Sequence, residues 1–134
     1  MEMTVTFGDG MKVNAHFKNF TVNTDQAKLA GGEETFPDPF SYFLSSLGTC
    51  AGFFVLRFCQ TRNISTEGIR LRQSNDWNKE KGRVENIHIE IELPPSFPSK
   101  YASALIRATN ECTVKRTLMN PPQLEVTTKI VEAA

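Results

Sequence analysis

The chain has 134 residues, enough for one domain with a real core and too few for two. Apolar residues make up 40% of it and charged residues 22%, ordinary values for a soluble globular protein. Its 15 Lys and Arg balance 15 Asp and Glu, so it lacks the basic stripe with which a nucleic-acid binder displaces counterions, and no nucleic-acid partner is expected.

The first quarter reads as strands. Val5 and Phe7 alternate with polar neighbours, Gly8-Asp9-Gly10 makes a tight turn, and Met11, Val13, Ala15 and Phe17 resume the period of two. Lys18-Asn19 is a second turn leading to Phe20 and Val22, which completes a three-stranded meander with one apolar face. Residues 24–38, with Gly31-Gly32 and Pro37, read as a loop.

A long helix follows. Asp38 suits an N-cap and Pro39 the first helical position. Phe40, Phe43, Leu44, Leu47, Ala51, Phe54, Val55 and Phe58 recur at helical spacing, and Asn63 is a plausible end, giving about 36 Å of helix. Tyr42, Phe53 and Leu56 fall off that stripe, so the helix is apolar nearly all round and needs burial on more than one side. Ser41, Ser45, Gly48 and Gly52 form a separate stripe of small residues that would admit another backbone closely. Residues 39–56 are uncharged for eighteen positions, the lower limit for a membrane span. Their content of Pro, Ser, Thr and Gly favours a buried central helix, and no membrane partner is expected. The start, Met1-Glu2-Met3-Thr4-Val5, has no basic or apolar signal region, so a cytoplasmic protein is expected and the N-x-S/T matches at Asn19 and Asn63 are chance.

Beyond the helix, Ile69, Leu71 and Gln73 alternate with Gly68, Arg70 and Arg72, and Ile87, Ile89, Ile91 and Leu93 alternate with Asn86, His88, Glu90 and Glu92. These predict two antiparallel strands joined by a polar turn over residues 75–83, with Arg70 and Arg72 available to pair Glu90 and Glu92. A second helix is predicted over residues 98–110, a short helical piece over 111–119, and a last strand through Leu124, Val126, Thr128 and Ile130. The order βββ-α-ββ-αα-β is α+β.

Among the motifs that carry chemistry, GxGxxG, the P-loop, HExxH and GxSxG are all missing from the sequence, and His16 and His88 read as surface or edge histidines. Cys50, Cys59 and Cys112 lack CxxC spacing, so neither zinc nor any other cofactor is expected. Nine residues of helix separate Cys50 from Cys59 by about 13.5 Å of rise and about 180° of rotation. They cannot bond while the helix stands. Cys59 reads as a small buried apolar residue, and local sequence alone would assign Cys50 to packing as well. Cys112 opens a short helix with Lys115 and Arg116 on the same face, which gives it the better local case for a lowered pKa.

Two stretches carry a family resemblance. Pro37-Asp38-Pro39-Phe40-x-x-x-Leu44-x-x-Leu47-Gly48-x-Cys50 resembles the central-helix signature of the OsmC/Ohr family of thiol proteins. Ala108-x-x-x-Cys112-x-Val114, followed by Leu118 and a terminal strand, resembles that family's second-cysteine motif. The order of elements is also similar, so the resemblance covers nearly the whole chain as a single OsmC-like domain over residues 1–134. It implies an OsmC/Ohr-like α+β fold, with antiparallel sheets around a long buried helix, in an intertwined homodimer.

The resemblance also implies a cysteine-based peroxidase of the oxidative-stress response, with Cys50 and Cys112 as its catalytic pair. Cys50 would attack an organic hydroperoxide or hydrogen peroxide and become a sulfenic acid. Cys112 would resolve it as a disulfide that an external dithiol reduces. Two departures stand out. Active members carry a glutamate where this chain has Phe40, and an arginine among the N-terminal strands, whereas no arginine precedes Arg57 here. Glu33, Glu34, Lys12 and Lys18 are the available substitutes, and Arg57 lies two turns beyond Cys50 on the same side. The chain thus resembles most a divergent OsmC-like subgroup. The alternative is a non-catalytic scaffold binding a small apolar ligand in the dimer cleft, which Phe40 would make greasier.

Overall fold

The computed structural model describes residues 1–132. They cluster into two compact units, one of residues 1–49 and 71–91, the other of residues 50–70 and 92 onward. Helix α1 (Pro39–Thr61) contributes residues 39–49 to the first and 50–61 to the second. Secondary structure follows the expected α+β order up to residue 119.

In the first unit, strands β1 (Thr4–Phe7), β2 (Val13–Phe17) and β3 (Phe20–Thr24) form an antiparallel meander. Its register pairs Thr4 with His16 and Phe7 with Val13, then Val13 with Thr24 and Phe17 with Phe20. Both expected turns are present. The first closes through Gly8 N–H to Lys12 O (2.9 Å), and the second places Lys18 in the left-handed region at φ 50°. The second sheet pairs β4 (Arg70–Asn78) with β5 (Arg83–Glu92) as a hairpin. Its turn is shorter than expected, residues 79–82 only. Asn78 accepts the amides of Lys81 (Oδ1, 2.9 Å) and Gly82 (O, 2.8 Å), so the polar stretch before it extends as strand instead of looping. Arg70 and Glu92 form the expected cross-strand ion pair.

The loop between β3 and α1 is organised by a residue that reads only as loop in the sequence. Asp25 is 1% exposed. Its carboxylate accepts the amides of Gln26 (2.8 Å), Glu33 (3.3 Å) and Thr35 (3.1 Å) and the hydroxyl of Thr35 (2.8 Å). Gly32 lets the loop close on itself, because a Cβ there would lie 2.0 Å from the carbonyl oxygen of Gln26. The Thr35 hydroxyl bond, seconded by the Gln26 amide, holds the Asp25 carboxyl down to about 2, from an ordinary 3.8. A depressed folded-state pKa stabilises the fold above the unfolded value, and that contribution is lost as pH falls from about 4 toward 2. Asp25→Asn turns an amide NH₂ toward amide donors, and is expected to lower Tm by at least about 5 °C at pH 7. Urea unfolding at pH 7 and pH 3 checks this, since the gap between wild type and variant should narrow at the lower pH.

Helix α1 begins as expected. Asp38 Oδ1 accepts the Ser41 amide at 2.9 Å and Oδ2 its hydroxyl at 2.8 Å, and Tyr42 donates its hydroxyl to Asn23 O at 2.7 Å. It ends in a Schellman motif. Asn63 is left-handed at φ 55°, Ile64 N–H reaches Cys59 O at 2.9 Å, and Asn63 N–H reaches Gln60 O at 3.3 Å. By length and composition α1 could cross a membrane. Its Leu47, Ala51, Val55, Phe58 and Cys59 are instead buried within the fold, as in a core helix.

The small-residue stripe is split. Gly48 admits the side chain of Gln73, whose Nε2 donates to Leu44 O at 3.0 Å, whereas a Cβ on Gly52 would meet nothing within 4 Å.

The second unit buries Ala51, Val55, Phe58 and Cys59 of α1 together with Phe97, Leu105 and Cys112. A 3₁₀ turn (Ser99–Tyr101) leads into α2 (Ala102–Thr109), and α3 (Thr113–Met119) follows. The expected last strand does not form. Residues 121–132 adopt neither helix nor strand, and Leu124, Val126 and Ile130 are exposed. Alternation prepares a strand, but a ladder partner makes one, and among the described residues neither sheet supplies it.

Candidate functional site

The second unit brings Cys50 and Cys112 together. Cys50 is half-buried on α1, and Cys112, 1% exposed, is the N-cap residue of α3 with φ −49° and ψ 124°. That extended conformation opens the helix. The Cys112 carbonyl accepts the Arg116 amide at 2.9 Å, and the Cys112 side chain makes no capping bond. The first amides of α3 are shared between the two sulfurs, Thr113 and Val114 serving Cys50, and Val114 and Lys115 serving Cys112.

Burial is the largest single influence on the Cys50 thiol and pushes it up. The Val114 amide, the Cys112 thiol and the Thr113 amide together outweigh it and hold the pKa below its ordinary value. Cys112 moves the other way. Burial raises it, and its role as donor to Cys50 raises it further, against the opposing amides of Lys115 and Val114. Cys50 is thus held below its ordinary value and Cys112 above it.

This reverses the expectation from local sequence. The helix start near Cys112 does favour a thiolate, but its Thr113 and Val114 amides also serve Cys50, and the Lys115 and Val114 amides do not offset the burial of Cys112. The cations assigned to Cys112 are engaged elsewhere, Lys115 Nζ with Asn110 Oδ1 at 2.5 Å and Arg116 with Glu111 at 3.9 Å. Arg57 does not act on Cys50 either, and lies 5.9 Å over the Phe53 ring. Of the proposed substitutes, Lys12 pairs with Asp9 (3.1 Å) and Glu33 (3.3 Å), and Glu34 accepts the Lys28 amide (3.2 Å). Phe40 stacks on Phe43 with ring centres 5.4 Å apart.

Cys59 is wholly buried, and burial pushes its thiol up against a smaller opposing effect of Arg62. His16 bridges the hydroxyls of Thr6 (2.9 Å) and Thr21 (3.2 Å) on the meander, and His88 is exposed on β5. Sequence reasoning missed the amides of Thr113 and Val114, because a backbone donor carries no residue signature.

The model of the family described as OsmC-like protein matches residues 31–127, which include both cysteines. The chain belongs to the OsmC-like family. Solved structures with the same fold support the assignment. One is a Psychrobacter arcticus protein named as a candidate osmotic stress induced and detoxification response protein (TM-score 0.72, 19% identity, covering 86% of this chain and 85% of that one). An OsmC-like protein from Mycoplasma pneumoniae (TM-score 0.62, 18% identity) covers 90% and 87%. An organic hydroperoxide resistance protein OsmC from Legionella pneumophila (TM-score 0.56, 18% identity) covers 87% of each. At such identities the likeness is one of fold. No curated protein sequence matches this OsmC-like chain.

Proposed function

We propose that this OsmC-like protein is a cysteine-based hydroperoxide reductase acting in the oxidative-stress response as a homodimer. The observation that carries the reading is the meeting of Cys50 on α1 with the buried Cys112 at the start of α3, where the thiols are hydrogen-bonded and the Thr113 and Val114 amides serve Cys50. In the first step the Cys50 thiolate attacks the terminal peroxide oxygen. The O–O bond breaks, an alkoxide leaves and takes a proton, and Cys50 becomes a sulfenic acid. The Cys112 sulfur then attacks the Cys50 sulfur, water leaves, and a disulfide forms. An external dithiol reduces that disulfide and is itself oxidised, which closes the cycle.

Reductant consumption on addition of cumene hydroperoxide tests this, with steady turnover expected. Binding of small apolar molecules without turnover would favour the non-catalytic reading, for which the exposed Phe40, stacked on Phe43, is the supporting feature. After one equivalent of peroxide, nonreducing peptide mapping should find Cys50 joined to Cys112 and Cys59 free. A Cys59 disulfide as the major product would contradict the reading.

The α3 amides can be probed directly. Thr113→Pro removes one donor to Cys50, while proline suits the first helical position and the extended conformation already present at Cys112. Because this donor lowers the Cys50 pKa, its loss should move the rising limb of the pH–rate profile to higher pH. An unmoved profile in a folded variant would remove the Thr113 amide from the account.

A further inference from the structure

A groove of about 520 Å³ lies in the second unit between α1 and α2, within the usual size range of small-molecule sites. Phe54, Phe58 and Ala104 supply apolar surface, and Arg57, Arg62 and Arg107 supply three positive charges. No carboxylate lines it, and none of the three guanidiniums forms an ion pair among the described residues.

The arginines are not equivalent. Arg62 lies 3.7 Å over the Phe58 ring and donates to Phe58 O (3.3 Å) and Thr61 Oγ1 (3.1 Å). Arg57 rests over Phe53 at 5.9 Å. Arg107, exposed in the last turn of α2, has no such engagement among the described residues. Cationic groups gathered without a counter-charge repel one another, and a bound anion relieves that repulsion. The occupant has to satisfy the aromatic surface as well. A single charged head on an apolar chain uses both features, and a planar carboxylate matches the guanidinium fork.

We propose that this groove binds an amphipathic monocarboxylate of the medium-chain fatty-acid class, its head on Arg107 and its chain over Phe54 and Phe58. The site is independent of the redox reading, and Cys50→Ser should leave it intact.

Isothermal titration of the full-length reduced protein with octanoate, 1-octanol, acetate and octyl phosphate tests it. Octanoate is expected to bind once per chain, about tenfold more tightly than each of the other three. Arg107→Gln should weaken octanoate about tenfold and leave 1-octanol unchanged, with an unaltered melting temperature confirming the fold. Equal binding of 1-octanol would reduce the groove to an apolar patch, and equal binding of acetate to a bare charge effect. Tighter octyl phosphate would replace the carboxylate assignment. No octanoate binding, or an unaffected Arg107→Gln, would overturn the proposal.

Discussion

Cys50→Ser is expected to abolish hydroperoxide turnover, by at least about 1,000-fold, because a serine hydroxyl is no substitute for a thiolate nucleophile. Cys112→Ser should behave differently. It leaves the attacking sulfur in place, so the variant should consume one equivalent of peroxide per chain and then stop. Its Cys50 sulfenic acid should be trappable with dimedone. The order of events rests on the polarity of the pair, since the thiol held below its ordinary pKa carries more thiolate at neutral pH than the one held above it. Loss of the Cys112 donor should itself slow the first step, because the hydroxyl of serine is differently placed to stabilise the Cys50 sulfur. Trapping on Cys112 alone, in Cys50→Ser, would reverse the roles. Trapping in neither variant would leave a scaffold without peroxidase chemistry.

What the sequence disclosed and what it hid divide along a physical line. Elements whose signals are local were legible. The α1 start is encoded in Asp38-Pro39 and its end in Asn63, and the meander in its alternation and two turns. The identity of the candidate pair was legible through family resemblance, whereas its polarity was not. Residue types within one turn of Cys112 suggested an electropositive site there, but Lys115 and Arg116 turn to Asn110 and Glu111. The decisive donors belong to the backbone, at Thr113 and Val114, and serve a sulfur more than 60 residues earlier in the chain. Asp25 escaped for a related reason. A lone aspartate in a glycine-containing loop carries no periodicity, and only the folded loop shows four donors converging on it. The last strand failed in the opposite sense, because alternation through Leu124, Val126 and Ile130 is a local signal for an element that needs a non-local partner.

Gly52→Leu is expected to break the assembly while sparing the chain's own fold. The single chain leaves Leu56 of α1 exposed, along with Leu124, Val126 and Ile130 near its end. Apolar surface of that extent is unusual on a monomer and is ordinarily covered by a partner. A second copy is the expected cover, giving a sedimenting species of about 30 kDa from a 15.0 kDa chain. Gly52 is the discriminating position. A Cβ added there meets nothing within 4 Å in the isolated chain, and leucine is a better helix former than glycine, so the chain's own backbone is not strained by the substitution. Any loss must then arise where another molecule approaches the stripe, through overpacking that typically costs about 1–3 kcal/mol per site and acts twice in a symmetric pair. Sedimentation at micromolar concentration should show wild type as a dimer, and the variant dissociated or with a melting temperature lowered by about 5 °C or more. A wild-type chain that sediments as a stable folded monomer would refute the homodimer. A variant dimer with unchanged melting temperature would place the interface on another face of α1, away from Gly52.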